Sequence, residues 1–344
     1  MRGLSPVDAG NARIEGLFFS PIERPPNRLV LGSRVRVGLT AQGYPFPAPT
    51  GIVDYDLTAA ESGELVTLSL EREQFGSLVG NIDARFAVAE DLTGYAGGTI
   101  RRQNRHEGGD FRSYIVSTGA TWRPGGEASL TGFWGYTRTY ADEAPPAIFP
   151  GGDYLPPQIK RCEMIGQSWS QRDNSQSVAG AVFKLPGSQW LLEAGLFRAE
   201  RDVALNFTDL FRATRPDGTT PDRVMVIDAN NRDLLHSGEL RVARVLGDAS
   251  LAHRLTLSLR GKGGNRMFGG VQRVSPGESS LLFADEKPRP AFAFGPDDAD
   301  RVAQSTASVS YSITRPGVFS VDLALSASRY KLSDVKIPLK DFFN

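Results

Sequence analysis

The sequence predicts an all-β protein, an antiparallel up-and-down barrel wall of about eleven strands preceded by a small N-terminal unit. Three observations favour this fold class. From about residue 63 onward, runs of roughly 9 to 13 residues alternate between apolar and polar side chains, which is the two-residue period of a strand. Every second connection between these runs is very short. Residues 1–60 differ, because they hold many Gly and Pro and only short β-like runs.

The alternation is clearest in the segment LVGNIDARFAV, where Leu78, Ile82 and Phe86 are apolar and the intervening positions are mostly polar. The segments LAHRLTLSLRGK and FSVDLALSAS show the same period. All such runs together give predicted strands near 64–72, 78–88, 93–103, 111–122, 127–138, 176–186, 188–199, 236–246, 249–262, 301–314 and 317–330.

The connections between these strands fall into two classes. Short turns are predicted at Glu90-Asp91, Pro124-Gly125-Gly126, Gly187, Gly247-Asp248 and Pro316-Gly317. Longer connections are predicted at 73–77, 104–110, 139–175, 200–235 and 263–300. A meander places the two classes on opposite rims, and this asymmetry is typical of an outer-membrane barrel, with short turns in the periplasm and long loops outside. A Greek-key sandwich has no reason to produce it.

Composition excludes several other classes. The chain has 39 basic and 39 acidic residues, which gives no bulk electrostatic reason to expect a nucleic-acid partner. One cysteine and three scattered histidines provide no metal-ligand spacing, so neither a metal nor a cofactor is expected. The mean hydropathy of -0.26 is compatible with a membrane barrel, because only one face of each strand contacts lipid. The start, MRGLSPVDAG, lacks signal-peptide features, so we expect that the true N-terminus is missing.

Residues 1–60 carry a series of short motifs in a fixed order. Arg2-Gly3 is followed by RIEGLFF with Glu15-Gly16, then by RVRVGL, QGYPFPAPTG and GIVDYDL. This order resembles the last part of the plug of TonB-dependent outer-membrane receptors. The residues of the motifs are most similar to a siderophore-receptor-like branch of that family. The segment ELVTLSLEREQFGSLVGNIDARF then resembles the first two barrel strands of that family. The family's Arg-Gly-Pro is missing, and Thr50 replaces one glycine of its Gly-Gly pair.

The resemblance implies two domains, the C-terminal part of a plug at 1–60 and the N-terminal half of a barrel at 63–344. Barrels of this family have about 22 strands, so eleven imply a fragment. The implied function is active transport of a scarce solute, most simply a ferric siderophore, across the bacterial outer membrane. The implied partners are that solute, outer-membrane lipid, and TonB through a segment absent from this chain. No enzyme activity and no catalytic residue are implied.

Aromatic residues in the loops are the candidate ligand contacts. Loop 139–175 contains Tyr140, Tyr154 and Trp169, and plug loops 17–28 and 43–49 contain Phe18, Phe19, Tyr44 and Phe46. The alternatives are that the loop aromatics pack within their own loop and that the plug aromatics pack in the plug core. For plug-to-barrel contact we expect Arg2 and Arg36 to pair with lumen-facing carboxylates such as Asp83, the alternative being that these arginines are solvated.

Two other functions compete with the receptor. A passive outer-membrane porin or channel shares the barrel, and a plug domain in the lumen separates the two classes. A soluble all-β carbohydrate-binding protein or enzyme needs paired carboxylates on one face. Glu71 with Glu73 and Asp54 with Asp56 offer such pairs.

Overall fold

The computed structural model describes residues 7, 10–37, 46, 51–61, 63–125, 127–248, 250–283, 285–294 and 297–336. Its strands form two sheets of very different size. Tyr44 and Arg2, two of the candidate site residues, lie outside the described residues. Within the described parts of the chain, no helix has the length and apolar character needed to cross a membrane.

The small sheet, called here the N-terminal sheet, contains β1 (Ala12–Ile14), β2 (Leu17–Phe18), β3 (Val30–Arg36) and β4 (Ile52–Leu57) in the order β2-β1-β4-β3. β1 pairs with β4 in parallel, and the other two pairs are antiparallel. Between β1 and β2, Glu15 and Gly16 both have positive φ angles, 53° and 86°. Two such residues in succession close a two-residue hairpin with the twist of its strands. A short 3-10 turn at Thr58–Ala60 follows β4.

The large sheet has thirteen strands and is called here the wall. Eleven of them follow one another along a single path, from β5 (Leu65–Arg72) at one edge to β17 (Phe319–Lys336) at the other. All ten pairs along this path are antiparallel, so the predicted meander is confirmed. The path runs from β5 to β17 and is not closed between them. Its strands are β5 (Leu65–Arg72), β6 (Leu78–Ala89), β7 (Leu92–Asn104), β8 (Asp110–Trp122), β9 (Ser129–Glu143), β11 (Gln171–Pro186), β12 (Trp190–Thr214), β13 (Thr219–Gly247), β14 (Ala252–Phe268), β16 (Asp298–Arg315) and β17 (Phe319–Lys336).

The predicted asymmetry between the two rims is present, with one correction. Strands β12 and β13 are 25 and 29 residues long, so the expected loop at 200–235 is wrong. Both strands continue through that segment and turn only at 215–218, which makes a paired hairpin beyond the long-loop rim. Two further strands, β10 (Ala147–Pro150) and β15 (Val271–Ser280), pair with this hairpin from the neighbouring connections. The connections there are therefore partly strand rather than irregular loop.

The two faces of the wall have opposite chemistry, which follows from the two-residue period. On the outer face, leucines are largely exposed, for example Leu196 at 75% and Leu325 at 74%. On the inner face of β13, Ser237, Glu239 and Arg241 are buried and polar. The N-terminal sheet covers this inner face, so the polar side chains lie under it.

An apolar core joins the N-terminal sheet to the inner face. Phe19 is fully buried and meets the ring of Phe197 edge-on, with centroids 5.6 Å apart. Burying a side chain of this size contributes roughly 1.5–3 kcal/mol. The strands of the wall thus form one sheet curved around a small unit, rather than two facing sheets with a dry interior. The core contains Ala12, Ile14, Leu17, Phe19, Leu29, Tyr55 and Leu57 from the N-terminal side, with Phe133, Val178, Val182, Phe197 and Ala199 from the wall.

Candidate functional site

The β1–β2 hairpin is held against the wall by hydrogen bonds from its backbone. The Phe18 amide donates to Glu239 Oε2 at 2.8 Å, and the Ser20 amide donates to Ser237 Oγ at 3.0 Å. Arg241 Nη2 donates to the Gly16 carbonyl oxygen at 3.0 Å. Each bond joins a main-chain group of the hairpin to a side chain of β13. Such bonds fix position strongly, yet each contributes only about 0.5–3 kcal/mol net.

Glu239 is the centre of this contact. Its side chain is 1% exposed, and besides the Phe18 amide it accepts hydrogen bonds from Arg241 Nη2 at 2.9 Å and Ser258 Oγ at 2.7 Å. Arg241 also reaches Glu193 Oε2 at 3.2 Å. A buried carboxylate is stable when its oxygens are supplied with donors in this way. Removing its charge therefore disturbs several partners at once.

A second polar contact involves Asp83, the residue that the sequence predicts as a partner for a plug arginine. The cation beside it is Arg28, whose Nη1 lies 2.6 Å from Asp83 Oδ2. The hydroxyl of Tyr95 donates to Asp83 Oδ1 at 2.8 Å and also contacts the Arg28 carbonyl oxygen. Arg36 lies at the end of β3, opposite Ile52 of β4.

The 3-10 turn after β4 is attached to the wall near the short-turn rim. Thr121 Oγ1 donates to the Ala59 carbonyl oxygen at 2.6 Å, and Arg123 Nη2 donates to that of Ala60 at 2.7 Å. Arg85 forms an ion pair with Glu61. The N-terminal sheet is thus held at both of its ends, by its first hairpin and by its last turn.

Glycines on the inner face allow this close approach. A Cβ added at Gly119 would lie 2.6 Å from Cβ of Ala59, a distance that real side chains do not reach. A Cβ at Gly195 would lie 3.0 Å from Leu17, and one at Gly135 would lie 3.2 Å from Leu29. The three positions belong to β8, β12 and β9. At Gly119 the first obstacle is the N-terminal unit, whereas at Gly195 and Gly135 side chains of the wall, Phe197 at 2.8 Å and Ser117 at 3.1 Å, crowd the same space as well.

At the long-loop rim, connections between strands fold over the β12–β13 hairpin. Ala144, Phe207, Met225 and Ile227 are buried in one cluster there. A fully buried ion pair between Asp209 and Arg223 lies in the same hairpin. Burial raises the pKa of Asp209 above its usual value, and the Arg223 guanidinium opposes the shift.

No protein-family model and no curated protein matches the sequence. Solved structures do match. The ferric-catecholate import receptor Fiu from E. coli K12, in its open form, aligns with a TM-score of 0.76 at 12% identity, over 94% of this chain and 53% of Fiu. The ferric preacinetobactin receptor BauA from Acinetobacter baumannii gives 0.75 at 14% identity, over 94% of this chain and 50% of BauA. P. aeruginosa FpvA bound to a heterologous pyoverdine gives 0.77 at 10% identity, over 95% of this chain and 46% of FpvA.

This chain has the fold of the TonB-dependent siderophore receptors. The resemblance read from the N-terminal motifs is confirmed at the level of the fold. The chain spans about half the length of the solved receptors it matches. At 10–14% identity the likeness carries no information on which side chains contact a ligand.

Within the receptor fold, the three candidate loop aromatics lie apart from one another. Tyr140 lies on the outer face of β9, where its ring centroid is 6.4 Å from that of Tyr114. The Tyr154 hydroxyl donates to the Thr214 carbonyl oxygen at 2.9 Å. Trp169 packs edge-on against Phe207 at 6.0 Å. Each of the three makes contacts of its own, and their role as ligand contacts stays a prediction.

The candidate aromatics of the N-terminal region that the structure describes, Phe18, Phe19 and Phe46, are buried. Phe19 belongs to the core beneath the N-terminal sheet, and Phe46 is 8% exposed. The ring of Phe18 lies between two guanidinium groups, 5.5 Å from Arg13 and 5.3 Å from Arg260. Phe19 therefore packs in the core, which is the alternative considered for this group. Phe18 is also buried, and its ring contacts the two arginines.

Sequence reasoning missed the wall residues that hold the N-terminal sheet, above all Glu239 and Arg241. They stand two positions apart in GELRVAR, so they share the inner face of a predicted strand. That spacing was a usable signal, because a charged pair on a lumen-facing strand needs a partner. Arg28 carried no such signal, since it lies in an irregular segment.

Proposed function

We propose that this chain is part of a TonB-dependent receptor that imports a ferric siderophore across the bacterial outer membrane. One observation carries the proposal: the N-terminal sheet lies on the polar inner face of an open antiparallel wall and is held there by individually modest hydrogen bonds and ion pairs. In this proposal residues 1–60 are the end of a plug, and residues 63–344 belong to the barrel.

The outer face supports a membrane location. Its side chains include Leu196, Leu259 and Leu325, which are 60–75% exposed. In water such a band destabilises a protein, whereas in a bilayer it is the surface that lipid requires. Outer-membrane lipid is accordingly a proposed partner.

The proposed mechanism is binding and gating without catalysis. A solute binds at the long-loop rim, and TonB pulls on a plug segment that precedes the residues described here. The pull breaks the contacts of Glu239 and Asp83 with the N-terminal sheet one after another, while the ladder hydrogen bonds hold the wall. Because each contact is worth about 0.5–3 kcal/mol, sequential rupture needs far less force than unfolding the wall.

A passive porin is the second candidate, and the structure favours the receptor over it. The N-terminal sheet occupies the inner face across β8, β9 and β12, which obstructs passive diffusion. A soluble all-β carbohydrate-binding protein is disfavoured, because the wall is one sheet with an exposed apolar face.

The test is energy-dependent uptake. The complete gene is expressed in a Gram-negative host that lacks its own ferric-siderophore receptors, and entry of radioactive iron is followed with a panel of ferric siderophores. We expect at least one siderophore to enter in cells that have TonB and to bind without entering in cells that lack it. Entry at the same rate in both strains would support the porin and contradict the receptor.

A further inference from the structure

A small polar cavity lies between the β1–β2 hairpin and strands β14 and β16. Its volume is about 160 Å³. This is below the roughly 300 Å³ at which sites for drug-sized ligands begin, so it accommodates one functional group of a larger molecule. Its lining includes Asn11, Phe18, Arg260, Lys262, Gln304 and Thr306.

The charges around this cavity are of one sign. Arg260 and Lys262 are successive inward-facing positions of β14, and none of the described residues that line the cavity is acidic. On the neighbouring strand β13, Glu239 is engaged by Arg241 at 2.9 Å and Asp233 by Arg266 at 3.1 Å. Neither lining cation forms an ion pair with a carboxylate of the described residues that line the cavity, and the nearest acidic influence on Arg260 is the attraction of Glu239 from the neighbouring strand.

The remaining lining groups suit a bound anion. The Gln304 amide and the Thr306 hydroxyl bring neutral donors from the strand beside β14. The ring of Phe18 covers one side of the Arg260 guanidinium at 5.3 Å, which limits access of water to that face. A guanidinium and an ammonium group beside neutral donors are the usual means by which proteins hold carboxylate, phosphate and phenolate oxygens.

The cavity continues toward the long-loop rim. A second cavity of about 420 Å³ shares Lys262 and Gly10 with the first and is lined further by Ser20, Arg266 and Tyr330. Asp233 and Asp300 also line it, so among the described lining residues the acidic groups border the upper cavity, and the lower one is bordered by Arg260 and Lys262. The two cavities are neighbours along the N-terminal sheet, and Lys262 and Gly10 border both of them.

We propose that Arg260 and Lys262 form a luminal anion-binding site that receives a negatively charged group of the solute on its way past the N-terminal sheet, and that the transported ferric chelate is anionic. The inference rests on the proposed function and deepens it by naming the chemical class of the solute. The site lies eight to ten residues along β14 from the strand's start at Ala252, well inside the wall. It therefore acts on passage rather than on capture at the surface.

The experiment compares uptake of an anionic ferric tris-catecholate with that of an uncharged ferric tris-hydroxamate by the protein from its complete gene. The variants are Arg260→Gln with Lys262→Gln, the conservative Lys262→Arg, and the control Lys331→Gln, which removes an exposed cation from the opposite face of the wall. We expect the double variant to slow entry of the anionic chelate by about tenfold or more, the loss equivalent to one charge-assisted contact. Binding of the anionic chelate at the cell surface should change less than about twofold, because the site lies inside the wall. Loss of even one contact of 1.4 kcal/mol at the surface would weaken that binding about tenfold.

The variants Lys262→Arg and Lys331→Gln should take up the anionic chelate at the same rate as the unchanged protein. If the double variant takes up both chelates equally more slowly, or takes up neither more slowly, the proposed site is wrong. Preferred entry of the uncharged chelate overturns the assignment of the solute class.

A calorimetric titration separates this inference from the proposed function. Inorganic phosphate is titrated into the purified protein and into the double variant in detergent. If no ferric chelate enters cells, the proposed function is wrong. The anion-binding site is then tested by the phosphate titration alone. Phosphate binding that weakens about tenfold or more in the double variant supports the site. Equal binding by both proteins, or binding by neither, overturns it.

Discussion

Asp209 and Arg223 face each other across the β12–β13 hairpin with both side chains fully buried. Arg223 Nε donates to Asp209 Oδ1 at 3.0 Å and Nη2 donates to Oδ2 at 2.6 Å. The guanidinium also lies 4.4 Å from the ring centroid of Phe211. A bidentate pair of this kind fixes the register of two strands, because any slip would leave both charges buried and unpaired. The hairpin beyond the long-loop rim is therefore a rigid element.

Arg223→Met should destabilise this hairpin by about 3–5 kcal/mol, since it leaves an unpaired carboxylate in the interior. Hydrogen exchange of the amides in 205–214 and 219–229 measures the loss of protection. The matched control is Arg212→Met, which breaks an exposed ion pair with Asp222 in the same hairpin and should change protection little. Equal loss in both variants would contradict a special role for the buried pair.

The same variant should respond to pH. Burial raises the pKa of Asp209, and without Arg223 nothing opposes that shift. A raised pKa in the folded state means that stability is greatest below the usual value near 3.9 and falls as the pH rises through the folded value. Protection in Arg223→Met, corrected for intrinsic exchange rates, should thus recover as the pH is lowered toward the usual value near 3.9. Asp209→Asn in the same background should abolish this recovery, and its persistence would assign the effect to another group.

Glu239→Gln should loosen the β1–β2 hairpin. The neutral amide cannot supply Phe18, Arg241 and Ser258 with the acceptor oxygens that the carboxylate supplies. A loss of about 1–3 kcal/mol corresponds to roughly 5- to 150-fold faster exchange of the hairpin amides. Glu193→Gln is the control, because Glu193 contacts Arg241 on the wall, whereas the Phe18 amide of the hairpin donates to Glu239. Unchanged exchange at Phe18 in Glu239→Gln would show that the apolar core alone holds the hairpin.

Gly119→Ala should disturb the contact between β8 and the 3-10 turn at Thr58–Ala60. The added methyl group meets Cβ of Ala59 at 2.6 Å and the Gly132 carbonyl oxygen at 2.9 Å, so one of the two must move. We expect a cost of about 1–3 kcal/mol, measured as a lower midpoint of thermal unfolding in detergent. Gly132→Ala on the adjacent strand has nothing within 4 Å of the new methyl group and should leave the midpoint unchanged.

The two loop aromatics Trp169 and Tyr140 should behave differently on substitution. Trp169 packs against Phe207, and its Nε1 donates to the Lys287 carbonyl oxygen at 2.8 Å, so Trp169→Ala should expose the cluster to proteolysis. Tyr140 lies on the outer face, so Tyr140→Ala should leave binding of a ferric siderophore within about twofold, because it is remote from the inner face. A large loss of binding in Tyr140→Ala would contradict this expectation and support the predicted role of Tyr140 in ligand contact.

Much of the fold was predictable because alternation and turn residues are local signals. Gly247 has a φ of 92° at the β13–β14 turn that the sequence predicts. The extension of β12 and β13 was missed, although Val203, Leu205, Phe207 and Phe211 keep the two-residue period, because the charged residues between them resemble a loop. The partner of Asp83 was not predictable. Periodicity places its side chain on the inner face, and only the folded N-terminal sheet decides that Arg28 meets it.

The glycines at 119, 135 and 195 lie where the wall and the N-terminal unit approach each other, so the shapes of the two surfaces are complementary there. A chimera that grafts this N-terminal segment onto the barrel of another receptor will meet a steric clash with Ala59 unless a small residue stands at the place of Gly119, whatever the charges across the junction. Evolution by module exchange is thereby restricted, since the paired strands β8 and β9, and β12 beyond them, must be inherited together with the segment they accommodate.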